Sequence, residues 1–287
     1  MKFARYSING RSPKIGLVTE NQLIDLSNVV PSMQALIALS ADGLAMVQQH
    51  AASSQSIPLA DVKLHAPLLP RRNVMCLGLN YAEHVRESLT AQGQTVDLPQ
   101  FPVVFTKATT AVSGPTDPIP FDPQVSESMD FEVELAVIIG KQGKNIPVEQ
   151  AMEYVFGYTV LNDITARDLQ RQGKQFFKGK SLDGSCPIGP WIVSRDALPH
   201  PHDLNIRCLV NDVEKQSSNT RHMIFDIPAT IAYLSRGMTL LPGDIIATGT
   251  PDGVGFARTP PEFLRPGDVV HSIVEGIGEM KNVVTAV

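Results

Sequence analysis

The chain has 287 residues, 43% hydrophobic and 18% charged, with a formal net charge of −5. That is enough apolar material for a large core, and with no basic block neither nucleic acid nor an anionic membrane surface is an expected partner. Three cysteines without a CxxC spacing, a start that turns polar too soon for a signal peptide and no apolar run near the ~20 residues of a bilayer span make a soluble, cytoplasmic protein the expectation.

In chain order, residues 1–66 read as a small α/β N-terminal domain. Strands are expected over Lys2 to Tyr6, Ile15 to Val18 and Gln22 to Asp25, then a helical stretch from Met33 to His50 with a break at Asp42-Gly43. Residues 67–73, with Pro67 and Pro70, read as a stiff linker. Over 74–287 short apolar runs alternate with Gly and Pro, the pattern of a β-rich, barrel-like body in a mixed α+β chain. Its expected strands are Val74 to Gly78, Val103 to Thr106, Phe131 to Ile139, Gly157 to Asn162, Trp191 to Ser194, Asn205 to Val210, Ile245 to Gly249 and Val269 to Val274. Asp226-Ile-Pro228 sets an N-cap and an early proline before a helix over ATIAYLSRGM. The polar segment Glu87 to Gln100 has no apolar face and reads as a surface loop or a lid.

Several segments carry chemistry. In Asp130-Phe-Glu-Val-Glu-Leu135 strand alternation puts Glu132 and Glu134 on one face, at the start of a buried apolar run. Two carboxylates there repel each other and call for a hard cation such as Mg²⁺, Mn²⁺ or Ca²⁺; an edge strand with a solvated acidic face fits the same pattern. Asp163 ends the apolar run Thr159 to Asn162, where a ligand or a helix N-cap is expected, with Thr165 as an alternative cap. If Asn80 caps a short helix, His84 and Glu87 lie three apart on one face, the pairing of a general base, or else an ordinary surface pair. His200 and His202 read as surface residues flanking a proline. Lys174 stands where a phosphate loop needs glycine, which removes the nucleotide reading but leaves Lys180 as a cation able to face an oxyanion. The turn after Ile246, with Gly249 and Thr250, can aim N–H groups and a hydroxyl at a carboxylate.

Taken together, GLNYAEHVRE, DFEVELAVIIGK, NDITARDLQ, KGKSLDGSCPIGPW and TLLPGDIIATGTPDGVG resemble the fumarylacetoacetate hydrolase family, in the expected order over about 74 to 276. The leading unit resembles the short N-terminal domain many members carry. The resemblance implies a β-barrel-like or β-roll catalytic body of the family's own type, a homodimer, and Mg²⁺ or Mn²⁺ (Ca²⁺ in crystals) held by Glu132, Glu134 and Asp163. By the same match His84 and Glu87 resemble a water-activating dyad on a mobile lid, Gln170 and Lys180 contact substrate and its developing oxyanion, and Thr250 binds the substrate carboxylate. Arg167, Tyr81 and Gly249, in the same segments, are placed with Thr250 as substrate-binding. The expected reaction is hydrolytic C–C cleavage of a small acylpyruvate-type β-diketo acid, fumarylpyruvate- or maleylpyruvate-like, releasing pyruvate. The dyad favours hydrolysis, because water must be activated. The same metal site also serves oxaloacetate-type decarboxylation and hydroxymuconate-type isomerisation or decarboxylation. A non-catalytic binding protein for small acids is the reading from a different class.

Overall fold

The computed structural model describes residues 1–39 and 41–287 (of 41 and 42, the backbone). The strands are β1 (Lys2–Ser7), β2 (Lys14–Thr19), β3 (Gln22–Asp25), β4 (Ser56–Pro58), β5 (Lys63–His65), β6 (Val74–Gly78), β7 (Val103–Lys107), β8 (Val112–Ser113), β9 (Ile119–Phe121) and β10 (Met129–Asp130). They continue with β11 (Val133–Ile139), β12 (Val155–Asn162), β13 (Thr165–Ala166), β14 (Cys186–Ser194), β15 (Asn205–Val210), β16 (Val213–Asn219), β17 (Ile245–Ala247), β18 (Val269–Val274) and β19 (Gly278–Ala286). The α-helices are α1 (Met33–Ile37), α2 (Ala41–Ser53), α3 (Ala82–Ala91), α4 (Arg167–Gln172), α5 (Phe177–Lys180) and α6 (Ile227–Ser235). None of the helices is long and apolar enough to cross a membrane among the described residues.

The main sheet runs β4-β3-β2-β1-β14-β12-β11-β17-β6-β7, with β5 beside β1 and β8 beside β14. A second sheet runs β16-β15-β18-β19-β9. β11 is buried along its whole length, which explains its unbroken apolar sequence. Its alternation sends Val133, Leu135, Val137 and Ile139 into one core with Ile206, Cys208, Val270 and Val274 of the second sheet. Ala136 and Ile138 enter the opposite core with Cys76, Leu161 and Ile245. The core is thus made by stacking sheets. The main ladder ends at β4 and β7, and among the described residues no pairing closes it into a barrel. At the N-terminus β1 pairs antiparallel with β14 (Lys2↔Val193, Phe3↔Ile192), carrying the sheet of residues 1–66 into that of the body.

Several local expectations change. The helical stretch after Met33 is two helices, and Asp42-Gly43 lies within the second. The strand expected from Phe131 is interrupted: β10 pairs with β13, and the ladder of β11 with β12 starts at Val133, so Glu132 lies between strands. β17 ends at Ala247, because the chain turns at Gly249, where φ is +95°. α3 reaches Ala91, so the first residues of the expected loop after Glu87 are helical. β16 (VEKQSSN) and β19 (GEMKNVVTA) were not expected, since their polar sequences show no clean alternation.

Candidate functional site

Glu132, Glu134 and Asp163 come together where β11 and β12 meet, their ligand atoms all within 4.8 Å of one another and all three buried. The ladder makes this meeting: Val133 pairs with Asn162, the Asp163 N–H donates to the Glu132 carbonyl at 2.8 Å, and the Glu132 N–H donates to the Asn162 side chain at 3.0 Å. Lys180 Nζ bridges Glu132 (2.8 Å) and Asp163 (2.7 Å), while Lys107 Nζ donates to the other Asp163 oxygen at 2.6 Å. Arg167 lies 2.6 Å from Glu132 and donates through Nε to Asp130 at 2.8 Å. α5 can bring Lys180 so close because Gly179 packs on α4, where a Cβ would lie 2.5 Å from the Gln170 nitrogen.

The electrostatics are unbalanced. Burial would raise the Glu132 carboxyl, but Lys180, Arg167 and His84 together outweigh it and hold it down at about 2. Burial would lower the Lys180 ammonium, yet Asp163 and Glu132 raise it. Glu134 is pushed well above the usual range, first by burial and then by Asp163 and Glu132, against Lys180 and the Gly249 N–H that donates to it at 2.8 Å. Asp130, Glu132, Glu134 and Asp163 face only three cations, Lys107, Arg167 and Lys180, and no ion pair reaches Glu134 among the described residues. An excess carboxylate beside two convergent ones fits a hard divalent cation with oxygen ligands. The three carboxylates therefore form a candidate divalent-metal site.

Beside it, His84 Nδ1 lies 3.0 Å from Glu87 Oε1 on α3. Glu87 is itself held by the Gly253 N–H, 2.9 Å from both of its oxygens. The same turn serves Asp130, which accepts from Gly255 (2.7 Å) and Phe256 (3.0 Å). A cavity of about 400 Å³ joins His84, Glu132, Arg167, Gln170, Lys180 and Thr250, with Leu77, Phe105 and Phe256 among its apolar walls.

Other expected site residues are placed differently. Asn80 does not cap α3; its side chain ties together Phe225 and Thr248, and Tyr81 takes the N-cap position. Tyr81 is buried outside the cavity lining, its hydroxyl without a hydrogen-bond partner among the described residues. The Gly249 N–H is engaged by Glu134. The Thr250 hydroxyl donates to the Val133 carbonyl at 2.9 Å and accepts from Gln216, which leaves it no proton for a carboxylate. Gln170 Oε1 accepts from Arg167 at 3.1 Å. Neither Asp163 nor Thr165 caps α4, whose N-cap is Ala166. His202 is half-buried: its Nε2 accepts from the Ile227 N–H at the start of α6. Lys107 and Asp130 escape sequence reasoning, the first because a lysine closing an apolar strand looks like an edge residue, the second because its neighbours at Glu132 and Glu134 draw the attention.

Residues 73–285 match the family model described as fumarylacetoacetate (FAA) hydrolase C-terminal. The chain is 48% identical over 225 residues to oxaloacetate tautomerase YisK of Bacillus subtilis, covering 78% of this chain and 73% of that protein. It is 41% identical over 285 residues to the mitochondrial oxaloacetate tautomerase fahd2 of Xenopus laevis, covering 96% and 87%. The solved structure of maleylpyruvate hydrolase from Sphingobium sp. SYK-6 with manganese(II) ion and pyruvate superimposes with a TM-score of 0.82 at 32% identity, covering 100% of this chain and 99% of that one. These similarities overturn the expected acylpyruvate hydrolysis, since relatives at 48% and 41% identity are tautomerases. The physical reason is that an imidazole–carboxylate pair moves a proton at carbon as readily as at water, so the dyad never selected hydrolysis.

Proposed function

Since the chain belongs to the fumarylacetoacetate hydrolase family, we propose that it is a metal-dependent tautomerase of oxaloacetate-type 2-oxo dicarboxylic acids, moving a proton between C3 and the 2-oxygen. The observation that carries this reading is the three-carboxylate cluster, whose Glu132 borders the same cavity as His84, with His84 Nδ1 fixed by Glu87 at 3.0 Å. Glu132, Glu134 and Asp163 would hold Mg²⁺ or Mn²⁺. When bound, the cation supplies Lewis-acid polarisation of the 2-oxo group.

The chain's own residues do the rest. With Nδ1–H donated to Glu87, His84 keeps Nε2 as the atom that takes the proton from C3 and passes it to the 2-oxygen, or carries it the other way in the reverse direction. Glu87 stabilises the imidazolium so formed, and the Gly253 N–H keeps that carboxylate in place. Lys180 and Arg167 offset negative charge growing on the 2-oxygen and its neighbouring carboxylate. The apolar walls, Leu77, Phe105 and Phe256 among them, exclude water and strengthen these interactions.

The test is the ultraviolet decay of enol-oxaloacetate with Mn²⁺ and with a chelator. Metal-dependent acceleration is expected, with a loss on the order of 10²–10⁴ in His84→Ala. Equal rates with enzyme and with buffer, or release of pyruvate as the main product, would overturn the proposal.

A further inference from the structure

Three basic side chains border the cavity: Arg167, Lys180 and Arg171. The first two are buried and matched, Arg167 by Asp130 and Glu132, Lys180 by Glu132 and Asp163. Arg171 is exposed at the mouth, and among the described residues no carboxylate pairs with it. Its guanidinium lies 5.7 Å from the centre of the Phe256 ring, while that of Arg167 lies 4.4 Å from the same ring. Both arginines belong to α4 at an i,i+4 spacing, so they share a helix face about 6 Å apart along the axis. That offset is comparable with the length of a four-carbon chain. Arg167 and Lys180 already face carboxylates of the chain, so the distal carboxylate of a dianion whose other end lies at the metal site needs a partner further out. A guanidinium stacked on an aromatic ring keeps its edge free for a carboxylate fork.

We propose that Arg171 is a specificity-determining residue that receives the distal carboxylate of a 2-oxo dicarboxylic acid whose other end lies at the metal site. This rests on the functional reading above and assigns its preference for diacids over monoacids to one residue.

The test is calorimetric titration of Mn²⁺-loaded protein with malate and with lactate, whose 2-hydroxy-carboxylate heads are the same and of which only malate has a distal carboxylate. The wild type is expected to prefer malate by about tenfold or more. Arg171→Gln is expected to abolish that preference by weakening malate while lactate stays within about twofold, and Arg171→Lys to recover part of it. A wild type without preference, an Arg171→Gln protein that keeps it, or an equal loss for both ligands overturns the proposal. Binding is read without turnover. Loss of malate selectivity therefore supports Arg171 even if enol-oxaloacetate is not a substrate, and its retention excludes Arg171 even if the tautomerase activity is found.

Discussion

At Glu134 the Gly249 N–H donates the hydrogen bond that, with the charge of Lys180, stands against burial and two neighbouring carboxylates. Gly249 has φ of +95°, and a Cβ on it would lie 2.8 Å from that of Asn80. Gly249→Ala is expected to cost about 1–3 kcal/mol of stability and to weaken Mn²⁺ binding by moving the N–H off Glu134. Urea unfolding and a metal titration check both, and wild-type values in the two would remove this role from the glycine. Glu132, Glu134 and Asp163 are legible in the sequence because carboxylates beside apolar strands demand compensation. Lys107 is not legible, since only packing shows that the side chain closing β7 is fully buried with Nζ 2.6 Å from Asp163. Tyr81 shows the converse, a residue inside a recognisable segment that the fold buries outside the cavity lining.

At the scale of elements, the turn after β17 does more than its glycines announce. Gly253 holds Glu87 of α3, and Gly255 with Phe256 holds Asp130, so one turn fixes the dyad and the Arg167 anchor together. α6 was readable from Asp226-Ile-Pro228, and Asp226 does accept from the Ala229 N–H at 2.8 Å. The second cap was not readable: His202 comes from a separate loop and accepts from the Ile227 N–H at 3.1 Å. Burial lowers the His202 pKa below its ordinary 6.5, only partly offset by Asp226. A base with a depressed folded pKa contributes stability in full above the unfolded value and loses it as pH falls through the folded one. Wild-type stability should therefore fall below about pH 6.5 relative to His202→Gln, whose amide oxygen accepts the same bond without titrating. A stability gap that stays constant from pH 8 to pH 5 in urea unfolding would exclude the effect.

For the molecule as a whole, the carboxylate cluster ties β11 and the end of β12 to α5 and the turn after β17, so a cation there binds elements far apart in the chain. Mn²⁺ at a hundred times its Kd is expected to stabilise the fold by about 2.7 kcal/mol, seen as several degrees in Tm, and a chelator to reverse it. Glu134→Gln removes the unmatched charge, so its metal-free Tm should rise and the Mn²⁺ shift should vanish; a shift of wild-type size in that variant would falsify the ligand assignment. The period-two apolar runs and the turn chemistry specified by themselves a strand-rich fold, and the carboxylates a candidate metal-binding trio, because alternation and side-chain chemistry are local properties; the family followed from the resemblance of whole segments. Only the tertiary structure decided that the sheets stack without closing, which cation faces which carboxylate, and that the Thr250 hydroxyl is engaged. Those depend on contacts such as Lys107 to Asp163 across 56 positions and Gly253 to Glu87 across 166, which strand order sets and local periodicity does not encode.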